Sequence, residues 1–214
     1  NLSLKFGIII TSNLILFFER IKKMSIAINL KTFTDKISDR DFERLCADNL
    51  ETKLEITKDG KLIVMSPTGS LTGQKNADLI YQVQAWNRQT KLGEVFDSST
   101  GFKLSNGAVR SPDVSWIAIK RWNSLDAQQQ QKFAPIDPDF VIELMSPTDD
   151  LDELQQKMTE YMSCGVKLGW LINRADEQVE IYRVGQKKEI LNNPQSLFGE
   201  ELMPGLIVDL LEIL

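Results

Sequence analysis

The sequence contains no histidine in 214 residues. That absence excludes Ser-His-Asp and Cys-His nucleophilic catalysis, histidine-ligated zinc and a histidine general base. Cysteine is nearly as scarce. Cys46 and Cys164 lie far apart, form no CxxC, and read as small buried thiols of helices in a reducing, cytoplasmic compartment. A long apolar run is also missing, since the most apolar segment, Phe6 to Phe18, falls short of the ~20 residues of a spanning helix and no small-residue cleavage site precedes Met24. Nor is there a basic field: the formal net charge is −5, and because residues 1–23 carry +3 (Lys5, Arg20, Lys22 and Lys23 against Glu19), the remainder carries −8. An acidic chain is poorly suited to tight non-specific nucleic-acid binding. It can still hold an active site whose acids a cation neutralises. Any enzyme chemistry here must run on Asp, Glu, Lys, Tyr and a hard metal ion.

With 42% hydrophobic and 26% charged residues the chain is long enough, and ordinary enough, to build one globular core. Residues 1–23 read either as a signal anchor or as an extension ahead of a start at Met24. The second reading is preferred, which leaves residues 24–214 as a single domain. Ser38 and Asp41 resemble a capping box for a helix reaching about Leu50. Lys53–Ile56 and Lys61–Met65 flank Asp59-Gly60, the strongest hairpin signal in the chain. Apolar spacing predicts a helix over Thr72 to Lys91. A strand at Glu94–Phe96 follows, then a second hairpin from Phe102–Leu104 and Ala108–Arg110 around Asn106-Gly107.

Val114–Ile119 reads as a strand, Trp122 to Phe133 as a short helix with a polar loop, and Phe140–Leu144 as another strand. Ser146–Asp150 leads into a helix ending near Cys164, with Gly165 as its stop. A hairpin of Leu168–Ile172 and Val179–Val184 and a last strand at Leu206–Val208 complete the order. Hairpins mixed with strand–helix–strand units predict an α/β (α+β) sandwich around a mixed sheet. Gly69 to Gly73 lacks the ending of a P-loop and reads as a loop and helix cap. The four tryptophans, Trp86, Trp116, Trp122 and Trp170, are spaced as core residues.

Two acids interrupt strands that otherwise read as core. Asp113 follows Ser111-Pro112 at the head of one, and Glu143 sits inside Phe140–Leu144. A buried carboxylate is costly unless it is paired or binds a metal. The pattern suits a Mg²⁺-dependent phosphodiester hydrolase, since Mg²⁺ takes one or two carboxylates and several waters. Asp113 and Glu143 could converge on one ion, with the Leu144 carbonyl as a third ligand. Lys157 on the next helix could approach the attacking water or the scissile phosphate, and Tyr161, four residues on, shares its face. Taken singly, Asp113 also fits a turn at a strand edge, Glu143 an ion pair with Lys157 or Arg110, and Lys157 a solvated helix position.

Three stretches carry a family resemblance: Val95–Leu104 (VFDSSTGFKL), Arg110–Ser115 (RSPDVS) and the segment from Pro138 to Ile172 with its IEL-SPTD block. The chain from about residue 30 to residue 214 resembles the Uma-type restriction endonuclease family, a bacterial branch of the PD-(D/E)XK nuclease superfamily. The resemblance implies a restriction endonuclease-like fold, with a central mixed β-sheet flanked by helices. It makes Asp113 the motif aspartate and Glu143 the motif acid. The lysine usual two residues after the acid is Met145 here, which makes Lys157 its replacement from the following helix. A further acid from the amino-terminal part is implied, and Glu55 is the choice.

The expectation is a cytoplasmic endonuclease using Mg²⁺, with Mn²⁺ as a substitute, on DNA, with no membrane partner. A homodimer would suit a duplex cut on both strands. The alternative is a nuclease-like scaffold that no longer cuts and binds a protein or nucleic-acid partner.

Overall fold

Turn chemistry and alternating apolar residues sort the chain into two main sheets. The structure, a computed structural model, describes residues 25–29 and 37–214; the expected extension at residues 1–23 lies outside them. The first sheet is antiparallel and holds β1 (Ser25–Asn29), β2 (Lys53–Ile56), β3 (Lys61–Met65), β5 (Phe102–Lys103) and β6 (Val109–Arg110), in the order β1-β3-β2-β6-β5. The β2–β3 turn closes with the Gly60 N–H donating to the Thr57 carbonyl at 2.9 Å, and Gly60 takes φ +78°, a conformation glycine adopts without strain. Leu54, Ile56, Leu62 and Val109 turn to one face and pack on Phe42 of helix α1 (Asp39–Asp48). The intervening residues Lys53, Glu55, Lys61, Ile63, Met65 and Arg110 face an open cleft.

The second sheet has the order β11-β10-β9-β8-β7-β4 and is mixed. Its strands are β4 (Gly93–Asp97), β7 (Val114–Ala118), β8 (Phe140–Met145), β9 (Leu168–Asn173), β10 (Gln178–Arg183) and β11 (Glu189–Asn192). Only β8 and β9 run parallel, joined through helix α5 (Leu151–Ser163). This is the strand–helix–strand unit that the sequence predicts. Helix α2 (Ser70–Thr90) covers one face: its Leu79, Val83 and Trp86 pack with Val114, Trp116, Phe140, Ile142, Leu144 and Trp170. On the opposite face Met158 and Tyr161 of α5 pack with Ile117, Val141 and Leu171. Burying each such side chain contributes about 1.5–3 kcal/mol.

Two single-turn helices, α3 (Ile119–Trp122) and α4 (Ala127–Gln130), fill the segment read as a short helix and loop. A small hairpin of β12 (Ser196–Phe198) and β13 (Ile207–Asp209) closes the core beneath α2. Strands β1, β11 and β12 carried no clear sequence signal. Trp86, Trp116 and Trp170 are core residues as expected, whereas Trp122 is half-buried against Phe96. Among the described residues no helix is long and apolar enough to cross a membrane.

Candidate active site

Strand period two decides where the acids point. Val114, Ile142 and Leu144 turn toward α2, so Asp113 and Glu143 turn toward α5. The β7–β8 register pairs Val114 with Ile142; continued by one residue, it sets Asp113 opposite Glu143. The Leu144 N–H donates to Asp113 Oδ2 at 2.9 Å and fixes that carboxylate across the strand gap. Helix α5 then brings Lys157 onto Glu143, with Nζ 2.8 Å from Oε1, and the Tyr161 hydroxyl donates to the same oxygen at 2.9 Å. Lys157 Nζ also lies 5.8 Å from the centre of the Tyr161 ring.

The first sheet supplies the remaining acid. Glu55, 2% exposed, accepts from the Ser111 N–H at 2.9 Å and pairs with Lys157 at 3.1 Å through Oε1, while its Oε2 takes Arg110 Nη1 at 3.0 Å. Arg110 reaches on to Glu160 Oε2, 2.6 Å from Nη2, and Asn106 Nδ2 donates to the other Glu160 oxygen at 3.0 Å. Glu160, Arg110, Glu55 and Lys157 therefore form a chain of alternating charge that starts and ends on α5. Arg110 and Glu160 are the members that sequence reading did not assign to the site. The available signals were modest: Glu160 stands three residues after Lys157 on the same helix face, and Arg110 directly precedes the Ser-Pro-Asp run.

Electrostatics separate the two buried glutamates. Burial pushes both carboxyls up. At Glu55 the charges of Lys157, Arg110 and Lys53 and the Ser111 N–H outweigh burial and hold the group at about 2. At Glu143 burial wins: Lys157 opposes it, but Asp113 and Glu55 add like charge, and the group rises to about 7. Burial would lower Lys157, yet Glu143 and Glu55 outweigh it and keep the ammonium well above the ordinary lysine range. Tyr161 is pushed up by burial and by the charge of Glu143 and Glu55, so its hydroxyl stays a donor.

A hard cation needs carboxylate oxygens that are not already engaged. Both oxygens of Glu55 are engaged, and among the described residues no three acids are spaced as a metal cluster. Asp113 and Glu143 differ. Each holds its hydrogen-bond partners on a single oxygen, leaving Asp113 Oδ1 and Glu143 Oε2 without a hydrogen-bond partner among the described residues. Two facing carboxylates, each with one free oxygen and gathered at a cost in like-charge repulsion, fit Mg²⁺ with water completing its shell.

Asp113, Glu143, Leu144, Glu55 and Lys157 all line one open cleft of about 1770 Å³ between the first sheet and α5. The two facing acids stand at the open end of a mixed sheet, with a helix-borne lysine over them. Residues 39–211 match the Uma2 family, whose description is "Putative restriction endonuclease", and the chain belongs to that family. Among solved structures the chain is similar to a protein from Anabaena variabilis ATCC 29413, titled a putative nuclease belonging to DUF820. The identity is 21% and the TM-score 0.57, over 68% of this chain and 79% of that one. That likeness bears on the fold. No curated protein matches the chain.

Proposed function

We propose that this protein is a Mg²⁺-dependent endonuclease that hydrolyses DNA phosphodiester bonds at the Asp113–Glu143–Lys157 site, with Mn²⁺ able to substitute. The observation that carries the proposal is the pair of facing carboxylates, each with one free oxygen, beneath a buried lysine. Asp113 and Glu143 would hold the cation, with the Leu144 carbonyl as third ligand, and the cation would supply charge neutralisation and a more acidic water. Lys157 stays protonated, so it serves as a donor and not as a base. Its ammonium orients the attacking water or meets a non-bridging phosphate oxygen as charge develops there. Glu55 holds Lys157 over Glu143, and Tyr161 braces Glu143 from the side. DNA is the substrate that the family description favours.

A second reading, a nuclease-like scaffold that binds a partner without cutting, draws on the closed Lys157–Glu143 ion pair and the absence of a three-acid cluster among the described residues. Thermal melting with and without Mg²⁺ separates the two. A cation that binds only the folded state at a hundredfold excess over its Kd contributes about 2.7 kcal/mol. For a chain of this size that raises the midpoint by about 5–10 °C. The metalloenzyme reading expects this shift in the wild type and its loss in Asp113→Asn; a wild type indifferent to Mg²⁺ and Mn²⁺ supports the scaffold.

A further inference from the structure

Helix α2 buries one stripe along its length, formed by Thr72, Asn76, Leu79, Val83, Trp86 and Asn87. The apolar members pack in the core, and Asn87 shows what a structural asparagine looks like there. Its Nδ2 donates to the Gly93 carbonyl at 2.7 Å, and its Oδ1 accepts from the Gly93 N–H at 3.2 Å and from Trp116 Nε1 at 3.0 Å. Asn76 is 8% exposed, yet its Oδ1 is buried without a partner among the described residues. Thr72, 5% exposed, has no side-chain hydrogen bond among the described residues. Leaving the Asn76 oxygen buried and unpaired costs stability, so this orientation of the amide needs a reason outside the fold.

The surroundings supply one. Thr72 and Asn76 line the same cleft as Asp113, Glu143 and Lys157. They sit in the first two turns of a 21-residue helix whose N-cap, Gly69, makes no side-chain bond and whose first turn holds no acid. The leading N–H groups of α2 thus lack a side-chain cap, and the helix end carries partial positive charge. With its oxygen enclosed, the Asn76 amide leaves its NH₂, which has no hydrogen-bond partner among the described residues, as the donor open to the cleft that the residue lines. A hydroxyl, an amide and uncapped helix N–H groups together are the donor set of a phosphate site.

We propose that the amino-terminal end of α2, with Thr72 and Asn76, is a phosphate-binding subsite that holds the nucleic-acid backbone beside the bond cleaved at Asp113 and Glu143. The identity of the ligand rests on the nuclease reading above; the site itself rests on α2. The two side chains belong to the stripe facing β7 and β8 from the α2 side, whereas the acids turn to the α5 face. A strand passing around the open end of the sheet meets donors on one side and the cation site on the other.

Near-isosteric apolar replacement tests this. Thr72→Val and Asn76→Leu are melted, then titrated with inorganic phosphate and with a short fluorescein-labelled single-stranded oligonucleotide. The expected result is melting at or above the wild-type midpoint, with binding of both probes weakened about tenfold, the effect of losing one hydrogen bond to a charged group. Wild-type affinity for both probes in either folded variant overturns the subsite, as does a lowered midpoint with binding intact. Wild type that binds phosphate at Thr72 and Asn76 but ignores the oligonucleotide supports the subsite and contradicts the nuclease reading. DNA cleavage with variant affinities unchanged does the reverse.

Discussion

At Glu55 the carboxylate lies almost wholly out of solvent between two cations, and through it the first sheet reaches helix α5. Glu55→Gln leaves the shape intact but removes the negative charge that Lys157 and Arg110 share. Breaking a buried pair costs about 3–5 kcal/mol, and the lower end is expected because Glu143 and Glu160 still contact the two cations. The sign with pH follows from the lowered carboxyl. Its stabilisation is complete above the ordinary glutamate value of 4.5 and is lost as pH falls toward about 2. Denaturant midpoints measured across that window should fall less steeply for Glu55→Gln than for the wild type; parallel acid limbs would contradict the ion-pair account. Glu55 was the choice because the family resemblance implies an acid from the amino-terminal part, whereas nothing near it in the sequence names Arg110 of β6 and Lys157 of α5 as its partners.

Helix α5 is the element on which the site depends, because Lys157, Glu160 and Tyr161 all ride on it. Its end was legible: Gly165 takes φ +97°, its N–H donates to the Met162 carbonyl, and the Val166 N–H donates to the Tyr161 carbonyl, the pattern that a glycine after a helix makes easy. Its height above the sheet was not legible, since that depends on a close approach at Gly169. A Cβ there would lie 2.6 Å from Met158 Cε and 3.2 Å from Met162 Cε, both flexible tips. At Gly93 a Cβ would lie 2.2 Å from the Ile117 carbonyl oxygen and 2.4 Å from the Trp116 ring, which cannot yield. Overpacking costs about 1–3 kcal/mol and occasionally more. Gly93→Ala should therefore lose clearly more stability in denaturant titration than Gly169→Ala; the opposite order would mean that α5 is held more rigidly than its methionine tips suggest.

Across the molecule, the division of labour between two sheets explains what the sequence could and could not reveal. Asp113 and Glu143 were legible because each stands in an apolar run, and continuing the β7–β8 register makes them face each other. Lys157 was legible by its place after the acid strand once Met145 was seen where a lysine is usual. The amino-terminal hairpin was legible as a hairpin, but not as part of a separate sheet forming the far wall of the cleft, because sheet membership is set by the pairing of Ile56 with Val109, far along the chain. The polar end of α2 escaped notice for a similar reason: Thr72 and Asn76 look like ordinary helix residues until the helix is seen to bury them.

The central claim is that Asp113, Glu143 and Lys157 act together as a hydrolytic site. Its most direct test is cleavage of supercoiled plasmid DNA by the wild type and by Glu143→Gln, each with Mg²⁺ and with EDTA. Nicked and linear products that require the metal and fall at least about a hundredfold in the variant are the predicted result. Metal-independent cleavage, or cleavage by folded Glu143→Gln at the wild-type rate, would contradict the account.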